Sequence, residues 1–220
     1  MMIVRGSRGS EGLRSVLGDA QAVGLDVEWV EAATIESLGV RNHQGVAAIV
    51  NLPDELDDQA MARSAFDPDA LVVVLDGITD PQNFGACVRS AEAAGAAMLV
   101  TRRRRAAPLS AGAVKASAGA LFHLPVARVA NISRALGDLK ERGFYVVGLD
   151  HRARSNIQEA PPPHRPLALV VGAEDVGLSR LVRESCDQLI AIPMTGKMSS
   201  LNASAALAVA LFGYALRPRP

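Results

Sequence analysis

LVVVLDGITDPQNFGACVRSAEAAGAAMLV, residues 71–100, is the stretch that decides the fold. It opens with an unbroken aliphatic run, Leu71 to Leu75, and turns through polar residues from Asp76 to Asp80. A helical pattern then covers about 83–95, and a second aliphatic run follows at Ala97 to Val100. A short apolar run without polar alternation is the pattern of a strand buried on both faces, which belongs to parallel sheets. The unit recurs downstream. Phe144 to Leu149, Leu167 to Val171 and Leu189 to Ile192 are further runs, and helical patterns lie at about 111–119, 131–142 and 178–185. Strands alternating with helices predict an α/β fold with a mostly parallel sheet over residues 70–220.

Upstream, residues 1–50 read as a small α/β piece. It has an apolar start at Met1 to Val4, a helical pattern through Leu13, Val16 and Leu17, and strands at Val27 to Val30 and Val46 to Val50. Residues 51–69, with Pro53, Pro68 and the acidic cluster Asp54, Glu55, Asp57 and Asp58, are the expected linker. Pro161 to Pro163 mark a rigid loop before the fourth run.

The chain has 220 residues, 49% of them hydrophobic, enough for one ordinary domain and a smaller appendage. No apolar run approaches the roughly 18 residues of a membrane span, and no signal-peptide pattern opens the chain, so a soluble, cytoplasmic protein is expected. Cys87 and Cys186 stand far apart outside any metal-binding spacing, so they read as buried thiols and no metal is expected. The 23 basic and 23 acidic residues cancel. The basic residues are nevertheless unevenly placed: Arg102, Arg103, Arg104 and Arg105 are consecutive and Lys115 follows, a pattern that reads either as a solvated face or as a nucleic-acid contact.

The last helical segment, about Ser199 to Leu216, has no polar face. A helix apolar all round must be buried: in a domain of this size a second subunit is the expected cover, a central helix of its own domain is the alternative, and a charge at Leu211 is expected to split the dimer or unfold the protein.

In open α/β sheets ligands bind beyond the carboxyl ends of the strands. Three polar clusters fall there. Asp76 to Ser90 contains Asn83, which is able to cap the following helix, and Arg89. Gly172 to Ser179 contains Glu174 among glycines that allow close backbone approach. Pro193 to Asn202 places Ser200 and Asn202 at the start of the apolar helix, where capping is the simplest use for both. GxGxxG is absent, which argues against a dinucleotide-binding dehydrogenase, and a small-molecule methyltransferase would usually show a glycine-rich loop after the first strand.

Taken together, DPQNFGACVRSAEAAGA, LVVGAEDVGLSRLVRESCDQLIAIPM and GKMSSLNASAA resemble, in order and spacing, the three motifs of the SpoU (TrmH) family of RNA 2′-O-ribose methyltransferases. The resemblance covers about residues 45–216. RRRRAAPLSAGAVKASAGAL, together with the HQG at His43 to Gly45, is most similar to the family's branch that methylates a guanosine ribose in 23S rRNA. The resemblance implies a SPOUT-type fold with a C-terminal trefoil knot and a homodimer formed through the last helix. It implies S-adenosyl-L-methionine held by backbone groups of Gly172, Ile192 and Leu201, and an active site of Asn83, Arg89, Glu174, Ser200 and Asn202. Ribosomal RNA is the implied partner, with Arg102, Arg103, Arg104, Arg105 and Lys115 as its contacts, and no metal is required. Methylation of tRNA by the same chemistry, or RNA binding without turnover, are the alternatives. Asp175 stands where the family usually has glycine, and Ala203 where it usually has valine. The N-terminal RNA-binding piece also reads as truncated relative to the family.

Overall fold

The computed structural model describes residues 2–5, 11–39, 43–161, 163–198 and 200–217. Met1, Pro162 and Ser199, which figure in the strand, loop and helix expected above, lie outside the described residues. The chain divides into two compact units, Met1–Leu52 and Pro53–Pro220.

The first unit contains β1 (Met2–Arg5), α1 (Glu11–Ala22), β2 (Val27–Val30), α2 (Ala32–Ser37) and β3 (Val46–Ala48). Its sheet has the order β2-β1-β3, with β2 parallel and β3 antiparallel to β1. Ile35 and Ala47 form a small core, with Val30 against it.

The second unit begins earlier than its first aliphatic run. Its elements are α3 (Asp58–Arg63), β4 (Leu71–Asp76), α4 (Pro81–Ala93), β5 (Met98–Arg102), α5 (Ala111–Ala116), β6 (Val126–Val129), α6 (Ile132–Glu141), β7 (Tyr145–Leu149), β8 (Ser155–Asn156), β9 (Leu167–Gly172), α7 (Arg180–Ser185), β10 (Gln188–Ala191) and α8 (Ala203–Ala210). The seven strands run in the order β6-β5-β4-β9-β7-β10-β8, every pairing parallel.

Most of the segment read as a linker is structured. Leu56 bridges Ala127 beside β6, Asp57 accepts a bond from Ala60 N at the start of α3, and Met61 is buried under the sheet. The acidic cluster supplies the counter-charges of this packing: Glu55 pairs with Arg128, and Asp58 pairs with Arg103 while accepting from Ala130 N.

β4 and β9 are buried along their whole length, as their aliphatic runs require. Alternation sorts their side chains to the two faces. Leu71, Val73, Leu75, Leu167, Leu169 and Val171 meet α4, α5 and α8 on one face. Val72, Val74, Ala168 and Val170 meet α3, α6 and α7 on the other. The approach of α4 to α5 requires Gly85, where a Cβ would stand 2.5 Å from the carbonyl oxygen of Ala113.

The inner side of the last helix follows the alternative reading, a helix packed within its own domain. α8 widens into π-helical turns at Leu211–Ala215, and its inner side, Ala203, Leu207, Ala210, Leu211, Tyr214 and Ala215, is buried within its own unit. Leu211 is therefore a core residue. Ala205, Val209, Phe212 and Leu216, at spacings of four, three and four, form the exposed outer stripe. Leu211→Glu should accordingly unfold the protein, because an unpaired carboxylate would enter the core. Urea denaturation is expected to show a loss of about 3 kcal/mol or more, and unchanged stability would contradict this placement.

Candidate active site

The carboxyl ends of β7, β9 and β10 open into a cleft of about 640 Å³ counting its open mouth. Its apolar wall includes Leu149, Ile190, Ile192 and Leu201, and its polar groups include Asp150, Glu174 and Ser200. Gly172, Ile192 and Leu201, the three backbone positions expected to face a cofactor, all line it. Gly172 has no room for a side chain. A Cβ there would lie 2.1 Å from the carbonyl carbon of Gly177, across the loop that follows β9.

At the rim of the cleft three polar residues from three elements join. Asn83 Nδ2 donates to Glu174 Oε1 at 3.0 Å, and Asn202 Nδ2 donates to Asn83 Oδ1 at 2.8 Å. Ala203 N also donates to Glu174 Oε1 at 3.3 Å. The carboxylate sets the polarity of the chain. It only accepts, so Asn83 must present its amino group to it and is left with its carbonyl for Asn202. Asn202 in turn keeps its own oxygen to accept from Ser204 N at 2.9 Å and Ala205 N at 3.4 Å, capping α8. Each amide retains a second N–H, enough to hold a hydroxyl oxygen.

Asn83 is thus not the cap of α4. That role belongs to Asp80, whose carboxylate accepts from Asn83 N at 2.8 Å. Arg89 does not join the network. It is exposed on α4 and stands six residues after Asn83, about 240° further round the helix.

Burial pushes the Cys87 thiol up to about 12, with the Glu174 carboxylate adding to the shift. It stays protonated at neutral pH and is no nucleophile. Asp150 and His151 were not among the expected site residues. They line the cleft at the end of β7, where the buried Asp150 meets Arg183 Nη2 at 2.5 Å and Arg152 Nε at 3.3 Å. The signal was available, because Asp150 ends an aliphatic run as Asp76 does.

The basic run is not a uniform surface. Arg102 turns inward to the buried Asp76 at 2.5 Å, and Arg103 is engaged by Asp58 at 2.7 Å. Arg104, Arg105 and Lys115 are exposed. The expectation that all four arginines face RNA is corrected for Arg102, since its charge balances a buried carboxylate. Among the described residues no group of three or more His, Cys, Asp or Glu converges as metal ligands would, and no helix is long and apolar enough to cross a membrane.

A parallel sheet with a cleft at its carboxyl ends and a carboxylate–amide network at the rim defines a ligand-binding α/β protein. Residues 70–212 match the SpoU rRNA methylase family, and the chain belongs to it. It is 39% identical over 207 residues to the 23S rRNA (guanosine-2′-O-)-methyltransferase RlmB of Vibrio parahaemolyticus, an alignment covering 93% of this chain and 83% of that one. The corresponding protein of Haemophilus influenzae is 41% identical over 203 residues, covering 91% and 82%. Among solved structures, the SpoU methyltransferase AviRb from Streptomyces viridochromogenes in complex with the cofactor AdoMet superposes with a TM-score of 0.76 at 28% identity, covering 96% of this chain and 80% of that one. Gly172→Ala is expected to displace the loop at Gly177 and weaken S-adenosylmethionine binding by roughly tenfold or more in calorimetric titration. Unchanged affinity would show that the close approach is not needed.

Proposed function

We propose that this chain transfers a methyl group from S-adenosyl-L-methionine to a ribose 2′-hydroxyl of RNA, with a guanosine of 23S rRNA as the substrate. The observation that carries this reading is the Asn83–Glu174–Asn202 network on the rim of the cleft. The cleft's composition suits the cofactor. Leu149, Ile190, Leu201 and Ala206 offer an apolar slot for a base, the carboxylates of Asp150 and Glu174 suit hydroxyl and cationic groups, and the backbone at Gly172, Ile192 and Leu201 supplies donors and acceptors.

The bound cofactor supplies an electrophilic methyl on a sulfonium. The protein's task is to bring the hydroxyl in line with it and to hold the phosphate beside it. A spare amide N–H of Asn83 or Asn202 donates to one lone pair of the hydroxyl oxygen and leaves the other to attack the methyl, and Ser200 lines the cleft wall. The planar guanidinium of Arg89 grips an RNA phosphate through paired N–H donors.

The exposed stripe Ala205, Val209, Phe212 and Leu216 supports a homodimer built on α8. In that assembly Arg89 of one protomer serves the cleft of its partner, which accounts for its turning away from its own network. The bond from Ala203 N to Glu174 supports a chain path in which the C-terminal segment tucks under the loop after β9 as a trefoil knot, one of the rare exceptions to unknotted topology. Arg103, Arg104, Arg105 and Lys115 are the proposed RNA contacts outside the cleft, and the cytoplasm the proposed place of work.

Transfer of labelled methyl from S-adenosylmethionine to 23S rRNA lacking the modification tests the reaction, with the product nucleoside identified. Ribose-methylated guanosine is expected, and transfer confined to tRNA would reassign the substrate. Arg89→Ala should lower the rate at least about a hundredfold with fold and cofactor binding intact; full activity would remove Arg89 from the site. Phe212→Glu should turn a dimer into a folded monomer in analytical ultracentrifugation. A dimer that survives this change would place the interface elsewhere.

A further inference from the structure

Asp76 ends the central strand β4, is 2% exposed, and stands in register opposite Gly172 of β9. A carboxylate so buried is costly unless hydrogen bonds and a counter-charge meet it. Both are present. Arg102 Nη2 lies 2.5 Å from Oδ1, and Ser179 N donates to Oδ2 at 2.8 Å. The backbone carbonyl of Asp76 also accepts from Ala173 N at 3.1 Å. Arg102 Nη2 reaches Ser179 Oγ at 3.3 Å, so the end of β5 is tied to the same point.

Ala173 and Ser179 bracket the segment that carries Glu174 and lines the cleft with Ala173 and Gly177. Within that segment Gly177 N donates to Ala173 O at 2.8 Å, while Glu174, Asp175 and Val176 are exposed. Asn83 and Ala203 N hold Glu174 in the middle of the segment, and Asp76 holds its two ends, Ala173 through the backbone carbonyl and Ser179 through the carboxylate that Arg102 neutralises. Neither Asp76 nor Arg102 lines the cleft.

We propose that the Asp76–Arg102 ion pair is a positioning device. It fixes the 173–178 loop in the conformation that receives the cofactor, and so sets cofactor affinity without touching the cofactor. The inference rests on the function proposed above, and it gives Arg102 a task inside the fold in place of one on the RNA.

The test is calorimetric binding of S-adenosylmethionine to the full chain, with thermal unfolding and RNA affinity measured on the same samples. Asp76→Asn removes the charge that Arg102 neutralises and should weaken cofactor binding roughly tenfold. RNA affinity should stay within about twofold of the unaltered chain. If Asp76→Asn does not fold, the partly exposed Arg102 provides the second arm. Arg102→Met should weaken the cofactor alone by a similar factor, and Arg102→Lys, which keeps the single charged contact, should recover most of it. A folded Asp76→Asn or Arg102→Met protein that binds cofactor as the unaltered chain does would overturn the proposal. Equal losses for cofactor and RNA, tracking a fall in melting temperature, would also overturn it, since they would mark a merely structural pair. An unaltered chain that binds no cofactor would instead sink the function itself.

Discussion

The pairing of β4 with β9 is the constraint on which the rest depends. Six residues of each strand pair in parallel register, from Leu71 with Leu167 to Asp76 with Gly172, although nearly a hundred positions separate them in the chain. A parallel pair requires long crossovers, and the helices within them cover both faces of the sheet. The same pairing delivers the Asp76 turn and the Gly172 loop to one edge. From that edge follow the contact of Asn83 with Glu174, the tight passage of Gly177 over Gly172, and the cleft beyond them.

The C-terminal segment completes this edge in two ways. Its inner side fills the core with Leu207, Leu211 and Tyr214, and its first residues close the polar network through Asn202 and the Ala203 amide. The site therefore exists only when the last helix has docked. A helix with apolar residues on every side can serve two contacts at once. The buried side explains why the segment stays with its own unit, and the outer stripe is what remains to be covered.

Much of the fold could be read from the sequence because the central strands are aliphatic without interruption. β6 escaped notice because Arg128 sits within it, buried and paired with Glu55, and a charged residue breaks the apolar signal that marks a strand. α3 escaped because its short helix lies among prolines and acids, whose counter-charges, Arg103 and Arg128, are distant in sequence. At the site, the polar clusters at strand ends were legible and the family resemblance picked out Asn83, Glu174 and Asn202 within them, but no pattern shows that one carboxylate orients two amides, nor that Arg102 points inward while Arg104 does not. Such facts depend on what the fold brings opposite each side chain. Asp150 is different: its place after an aliphatic run was legible, and only its ion pairs with Arg183 and Arg152 depend on the fold.

The most direct test of the central claim is a crystal structure of the protein with S-adenosylmethionine bound. The cofactor should lie against the backbone of Gly172, Ile192 and Leu201, with its sulfonium methyl facing the amides of Asn83 and Asn202. A cofactor seated away from this cleft, or with its methyl turned from those amides, would contradict the account.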